Sequence, residues 1–271
     1  MRFRLLSLLT LLSLVAVASA RIAAPPPIAV RVASADVVFV GKVTGFGDKM
    51  VPADLEMGDD RQMQLATVEV NDQLLGKVEK KVQVGFFPAM GRRPGLQLEP
   101  NDTALFLVRQ HPKLKNIYVA EMFYSAVREK ENPTFKTQVE EAKSATKLLA
   151  NPLKGLNSKD ADERYLTAAL LITRYRRATP GAKLEPVPPA ESKLILETLA
   201  EADWQPRNPK FYSLPATSLF GQLGVTEKDG WTPPTDFNQY ATEAKKWLKA
   251  NAAKFKMQRY APAKTSISEE P

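Results

Sequence analysis

The chain of 271 residues holds one imidazole, His111, and no cysteine. Without thiols it has no thiolate nucleophile, no cysteine zinc site and no cysteine-held iron–sulfur cluster. With one imidazole, a Ser-His-Asp arrangement has a single candidate base, and no Gly-x-Ser-x-Gly turn accompanies it. His111 is followed by Pro112, Lys113 and Lys115, the composition of an exposed loop, and is expected there rather than in a catalytic or metal role. Asp54, Glu56, Asp59 and Asp60 share a stretch with Pro52 and Gly58. Their spacing departs from the calcium-loop pattern, so a solvated loop is expected. Asp160, Asp162 and Glu163 suit the first turn of a helix, where carboxylates oppose the positive dipole end. These residues imply no cofactor, no metal and no catalytic role, and the chain is not expected to be an enzyme.

The cations offer a different chemistry. Arg174, Arg176 and Arg177 crowd the end of one expected helix. Lys245, Lys246 and Lys249 lie on another, with Lys254, Lys256 and Arg259 behind them. These six named first form a candidate anion-binding surface, suited to a phosphate or an anionic cell-surface polymer. Dipole complementarity and a solvated helix face account for the same residues without a ligand. Trp204, Trp231 and Trp247, with Phe211, Tyr212, Phe220, Phe237 and Tyr240, could stack sugars. Large aromatics more often pin loops onto helices, and that is the expectation here. Asn101-Asp102-Thr103 matches a glycosylation sequon.

The elements that must position these groups fall into two kinds. Asp36–Val43, Leu65–Val70, the face shared by Val82, Val84 and Phe86, Ala104–Val108 and the alternation from Ile117 to Met122 read as five strands. A five-stranded domain removes its open edges by closing into a barrel. Ile28–Ala35 reads as a short helix before the first strand. After Pro133 the period changes. Phe135, Val139, Ala142, Thr146 and Leu149 form a helical stripe that Pro152 stops. Ser158 is expected to cap a second helix, Pro188-Pro189 to open a third, Pro215–Leu223 to form a short one closed by Gly224, and Asp236 to cap a last helix reaching Phe255. The division is therefore a β-barrel over 28–125 and a compact all-α domain over 133–260, its paired helices HEAT-like, with a disordered tail over 261–271. Two separate cores are expected.

Residues 1–20 follow the three-part pattern of a secretory signal: Arg2 and Arg4, an apolar run from Leu5 to Val17, and the small residues Ala18-Ser19-Ala20. The run is too short to span a bilayer. Cleavage after Ala20 would leave 251 residues and lower the net charge from +8 to +6, most of the excess lying beyond residue 127. The chain is expected to be secreted or periplasmic, without a membrane span.

Ala35-Asp36-Val37-Val38-Phe39-Val40-Gly41-Lys42-Val43 resembles the opening strand of netrin-like domains, the group that includes tissue inhibitors of metalloproteinases. Thr67–Val70 with Leu75-Gly76 behind it, and the later strand Leu105–Val108, resemble further strands of that pattern. The resemblance covers about residues 28–125 and implies an OB-type barrel. The inhibitors chelate their enzyme's zinc through an N-terminal cysteine, which this chain lacks. The expected function is therefore an exported, non-enzymatic binding protein, acting as a monomer on an unknown protein or an anionic cell-surface polymer and not on nucleic acid. Two alternatives stand beside it: a divergent protease inhibitor working through the barrel rim, and a carboxylate-based hydrolase in the helical half.

Overall fold

The computed structural model describes residues 25–55, 59–89, 95–178, 182–204 and 214–261. The signal-like segment 1–20, the tail from 262, Glu56, Gly58, Phe211 and Tyr212 lie outside the described residues.

Helix α1 (Ile28–Ser34) precedes strand β1 (Val37–Phe46). The short β2 (Val51–Pro52) leads to β3 (Gln62–Leu75), β4 (Lys81–Phe86), β5 (Thr103–Gln110), β6 (Ile117–Ala120) and β7 (Ala126–Arg128). Five of these strands close into a barrel. Strand β1 pairs with β3, β3 with β4, β4 with β6, β6 with β5, and β5 returns to β1. Counted in chain order, the five run 1-2-3-5-4 around the ring, and only the β4–β6 contact is parallel. Strand β1 bonds on both edges, and three register shifts against β3 bend it to do so.

The runs of β1 and β5 are apolar almost without a break because both faces are buried. Val37, Phe39 and Val43 point into the barrel with Ala104, Phe106 and Val108. The Phe39 and Phe106 rings stack there at 5.1 Å. Val38, Leu105 and Leu107 point outward, against helices. Two glycines of the strand pattern have steric reasons. A Cβ at Gly41 would lie 2.7 Å from Val68 Cγ1, and one at Gly76, where φ is +72°, would lie 2.7 Å from the Asp36 carbonyl oxygen.

The second half is helical: α2 (Phe135–Ala150), α3 (Pro152–Leu156), α4 (Ala161–Tyr175), α5 (Pro189–Glu201), α6 (Ala216–Gln222) and α7 (Tyr240–Asn251), with β8 (Leu184–Pro186) paired to β9 (Gln258–Tyr260). Among the described residues no helix is long and apolar enough to cross a membrane. Pro152 stops α2 and also supplies the first position of α3, where its missing N–H is no loss. Asp160, not Ser158, caps α4, accepting from the Asp162 amide; the Ser158 hydroxyl instead donates to Glu163. Asp236 caps a single 3₁₀ turn at Phe237–Gln239 that runs into α7, and Phe255 lies past the end of that helix.

Each half has a core of its own, but a third cluster joins them. It brings Ile28, Val32 and Ala33 of α1 together with Val38, Leu105, Leu107 and Val127 of the barrel and Phe135, Ala142, Ala145 and Leu170 of the helices. The expectation of two separate cores left out this shared layer.

Candidate functional site

Helix α1 does not lie flush on the barrel along its whole length. Between it, strands β5 and β6 and the turn that follows β6, a cleft of about 170 Å³ opens to solvent. Val30, Leu107 and Val119 supply apolar wall, and Met122 stands half exposed at the mouth. The polar residues are Arg31, Ser34, the Arg109–Glu121 ion pair at 2.9 Å, Tyr124 and Ser125. The lining carries two cations and one carboxylate.

Arg31 is the unusual member. Its Nη1 donates to the Tyr124 carbonyl at 2.8 Å, which fastens α1 to the β6–β7 turn. Its Nε is buried with no hydrogen-bond partner. Burial lowers its pKa below the ordinary arginine value, while Tyr124 and, to a lesser extent, Glu141 act against that trend. A guanidinium that is desolvated and incompletely bonded is held there by the surrounding fold rather than by its own contacts.

His111 is buried, which corrects the exposed-loop expectation. Its Nδ1 accepts from the amides of Lys113 at 3.1 Å and Leu114 at 2.9 Å, and Nε2 lies 3.2 Å from the Pro52 carbonyl. With Nδ1 accepting, Nε2 carries the proton and donates it to Pro52. Both ring nitrogens are engaged, so the imidazole joins strand β2 to the β5–β6 loop. Lys113 and Asp54 pair beside it at 2.9 Å. Asp59 is held by Arg61, whose side-chain hydrogen bond brings the carboxyl down to about 2. Asp59 bonds to Arg61 and to the backbone amides of Leu55 and Arg61, and Asp54 to Lys113. Among the described residues no group of three or more His, Asp or Glu could hold a metal ion.

The arginine group has internal partners. Arg174 Nη1 donates to the Ala35 carbonyl at 3.2 Å, Arg176 donates to the Gln222 carbonyl, and Arg177 pairs with Asp36 at 2.7 Å. The three tie the end of α4 to the barrel and to α6. Lys246 and Lys249 are exposed on α7, Lys245 is half buried, and Lys246 pairs with Glu243 at 2.7 Å. Trp204, Trp231 and Trp247 are buried around Phe220, with Phe220–Trp231 rings at 4.8 Å and Phe220–Trp247 at 5.8 Å. These aromatics pin loops and helices together, while Phe237 stays mostly exposed, stacked on Tyr240. The buried acid of the helical half, Glu191, accepts from the Tyr175 hydroxyl. Asn101 of the sequon is exposed in a left-handed turn, φ +69°, while Asp102 beside it is buried.

No sequence signal pointed to the cleft, because Arg31 and Tyr124 meet only after the barrel has closed. Compared with known proteins, the chain matches no family model and no curated protein.

Proposed function

We propose that this chain is an exported, non-enzymatic binding protein whose ligand enters the cleft between α1 and the barrel. The observation that carries the reading is Arg31, a desolvated and incompletely bonded cation beside an apolar wall open to solvent. Clefts that mix apolar walls with a few fixed polar groups are the usual form of a ligand site. The scaffold is read as OB-like, supported by the 1-2-3-5-4 ring with one parallel contact. The Ala35–Val43 segment supports the netrin-like assignment. The helical half is read as a HEAT-like support that holds α1 in place. Export with cleavage after Ala20 belongs to the same proposal, as does a monomeric state.

The test compares wild-type chain beginning at Arg21 with Met122→Trp, which fills the mouth of the cleft from an exposed position. A panel of small molecules screened by thermal shift is expected to contain stabilising compounds whose effect Met122→Trp abolishes. A panel without stabilisers, or stabilisation indifferent to the substitution, counts against the reading. N-terminal sequencing of extracytoplasmic protein is expected to begin at Arg21.

A further inference from the structure

We propose that the cleft binds a short-chain monocarboxylic acid, its carboxylate on the Arg31 guanidinium and its tail along Val30, Leu107 and Val119. The inference deepens the binding reading above and rests on it.

Three features select this class. The first is charge. The lining carries Arg31, Arg109 and Glu121, and Arg109 and Glu121 neutralise one another. Arg31 remains as the lining's unpaired cation: Glu141 acts on it from outside the lining, and its one hydrogen bond among the described residues runs from Nη1 to the Tyr124 carbonyl. A planar guanidinium matches the planar carboxylate fork and pairs with it through two parallel bonds.

The second is the wall. Leu107 and Val119 are almost wholly buried, so the floor of the cleft is apolar side chain backed by core. A fully hydrated anion such as inorganic phosphate gains nothing from that surface. An alkyl tail gains with each methylene it buries there.

The third is size. The volume of about 170 Å³ is below the roughly 300–1,000 Å³ of sites for drug-sized ligands. The occupant is short, a few methylenes behind one carboxylate.

The experiment is calorimetric titration of the full chain from Arg21 with pentanoate, pentanamide, pentylamine and inorganic phosphate. Pentanoate is expected to bind, and the other three to bind at least tenfold more weakly. Arg31→Lys keeps the charge but loses the fork, and is expected to weaken pentanoate at least tenfold. Met122→Trp removes nothing from the buried layer and is expected to block pentanoate outright; it decides the matter should the Arg31 variant fail to fold. Pentanamide binding as tightly as pentanoate, and lost in Met122→Trp, overturns the carboxylate assignment while leaving the cleft a binding site. Phosphate binding as tightly as pentanoate overturns the role of the apolar wall. Pentanoate binding that survives Met122→Trp overturns the location. No binding by any probe overturns this inference, and a broad panel without hits overturns the binding reading as well.

Discussion

Arg177 Nη2 lies 2.7 Å from Asp36 Oδ2, and the same carboxylate oxygen accepts the Gln110 amide at 2.9 Å. One acid at the mouth of β1 thus holds the end of α4 and the end of β5 together. Beside it, Arg174 donates to the Ala35 carbonyl, and its own pKa is lowered by burial and by the nearby Arg177. Arg174 and Arg177, which the sequence offered as part of an anion surface, act as a clamp between the two halves.

Removing Asp36 leaves the Gln110 amide and a guanidinium whose Nε already has no partner. Asp36→Ala is therefore expected to lower stability by about 1–3 kcal/mol. Urea unfolding followed by tryptophan fluorescence measures it. A midpoint unchanged from wild type would show that water replaces the carboxylate at no loss.

The shared layer makes a second prediction. Leu170 is fully buried between α1, the barrel and α2. Leu170→Ala is expected to cost about 2–5 kcal/mol and to move a single cooperative transition of the whole chain. Two separate transitions, with only one displaced, would mean that the halves unfold independently and that the joint layer does not couple them.

The β5–β7 end of the barrel carries a buried ion network, with Arg128 Nε 2.7 Å from Asp102 Oδ2, and Lys130 2.8 Å from Asp102 Oδ1. Burial pushes the Asp102 carboxyl up, but Lys130, the Glu99 amide and Arg128 together outweigh it and hold the pKa below the ordinary value. A carboxyl lowered on folding stabilises fully above its unfolded pKa, about 3.9, and loses that contribution as pH falls through the lower folded value. Asp102→Asn is expected to lower stability at pH 7 by about 1–3 kcal/mol, because Arg128 keeps Glu99 and Glu131 but loses the buried carboxylate on its Nε. The gap between variant and wild type should narrow below about pH 4. Denaturation midpoints across pH 3–7 test the sign; a gap constant over that range would contradict it.

The β-half was legible wherever a strand was buried on both faces, since Val37–Val40 and Ala104–Val108 leave no alternation to misread. The helices were legible where a stripe repeated, as in α2 and α4. Strand β7 has three residues and no pattern long enough to register. The burial of His111 depends on Pro52, which reaches it from strand β2 and so leaves no local trace in the sequence. The cleft depends on Arg31 meeting Tyr124, and the clamp on Arg177 meeting Asp36. Composition around either partner says nothing of such pairs, because only the closed fold brings them into range.

His111→Ala removes the acceptor for two amides and the donor to Pro52 at once. Stability is expected to fall by about 1–3 kcal/mol. The segment around β2 should be cut earlier by a nonspecific protease than in wild type. Equal cleavage of wild type and variant would show that the Asp54–Lys113 pair holds the loops without the imidazole.

The two basic groups should separate in one experiment on an anionic polymer. The Lys245, Lys246 and Lys249 cations stand on α7, and the only acid bonded to them among the described residues is Glu243, which pairs with Lys246. Exposed charges at that spacing attract a polyanion through a field that salt screens within roughly 10 Å at 0.1 M ionic strength. Replacing all three lysines by alanine is expected to lower the salt concentration that elutes the protein from a sulfated-polysaccharide column, with little change in its unfolding midpoint. Replacing Arg174 or Arg177 by alanine is expected to do the reverse. Each loses a bond to Ala35 or Asp36 and should destabilise the chain by about 1–3 kcal/mol, while the folded fraction elutes where wild type does. Arginine variants that elute early yet keep full stability would return those side chains to the surface chemistry that their sequence position suggests, and the clamp would then lie elsewhere.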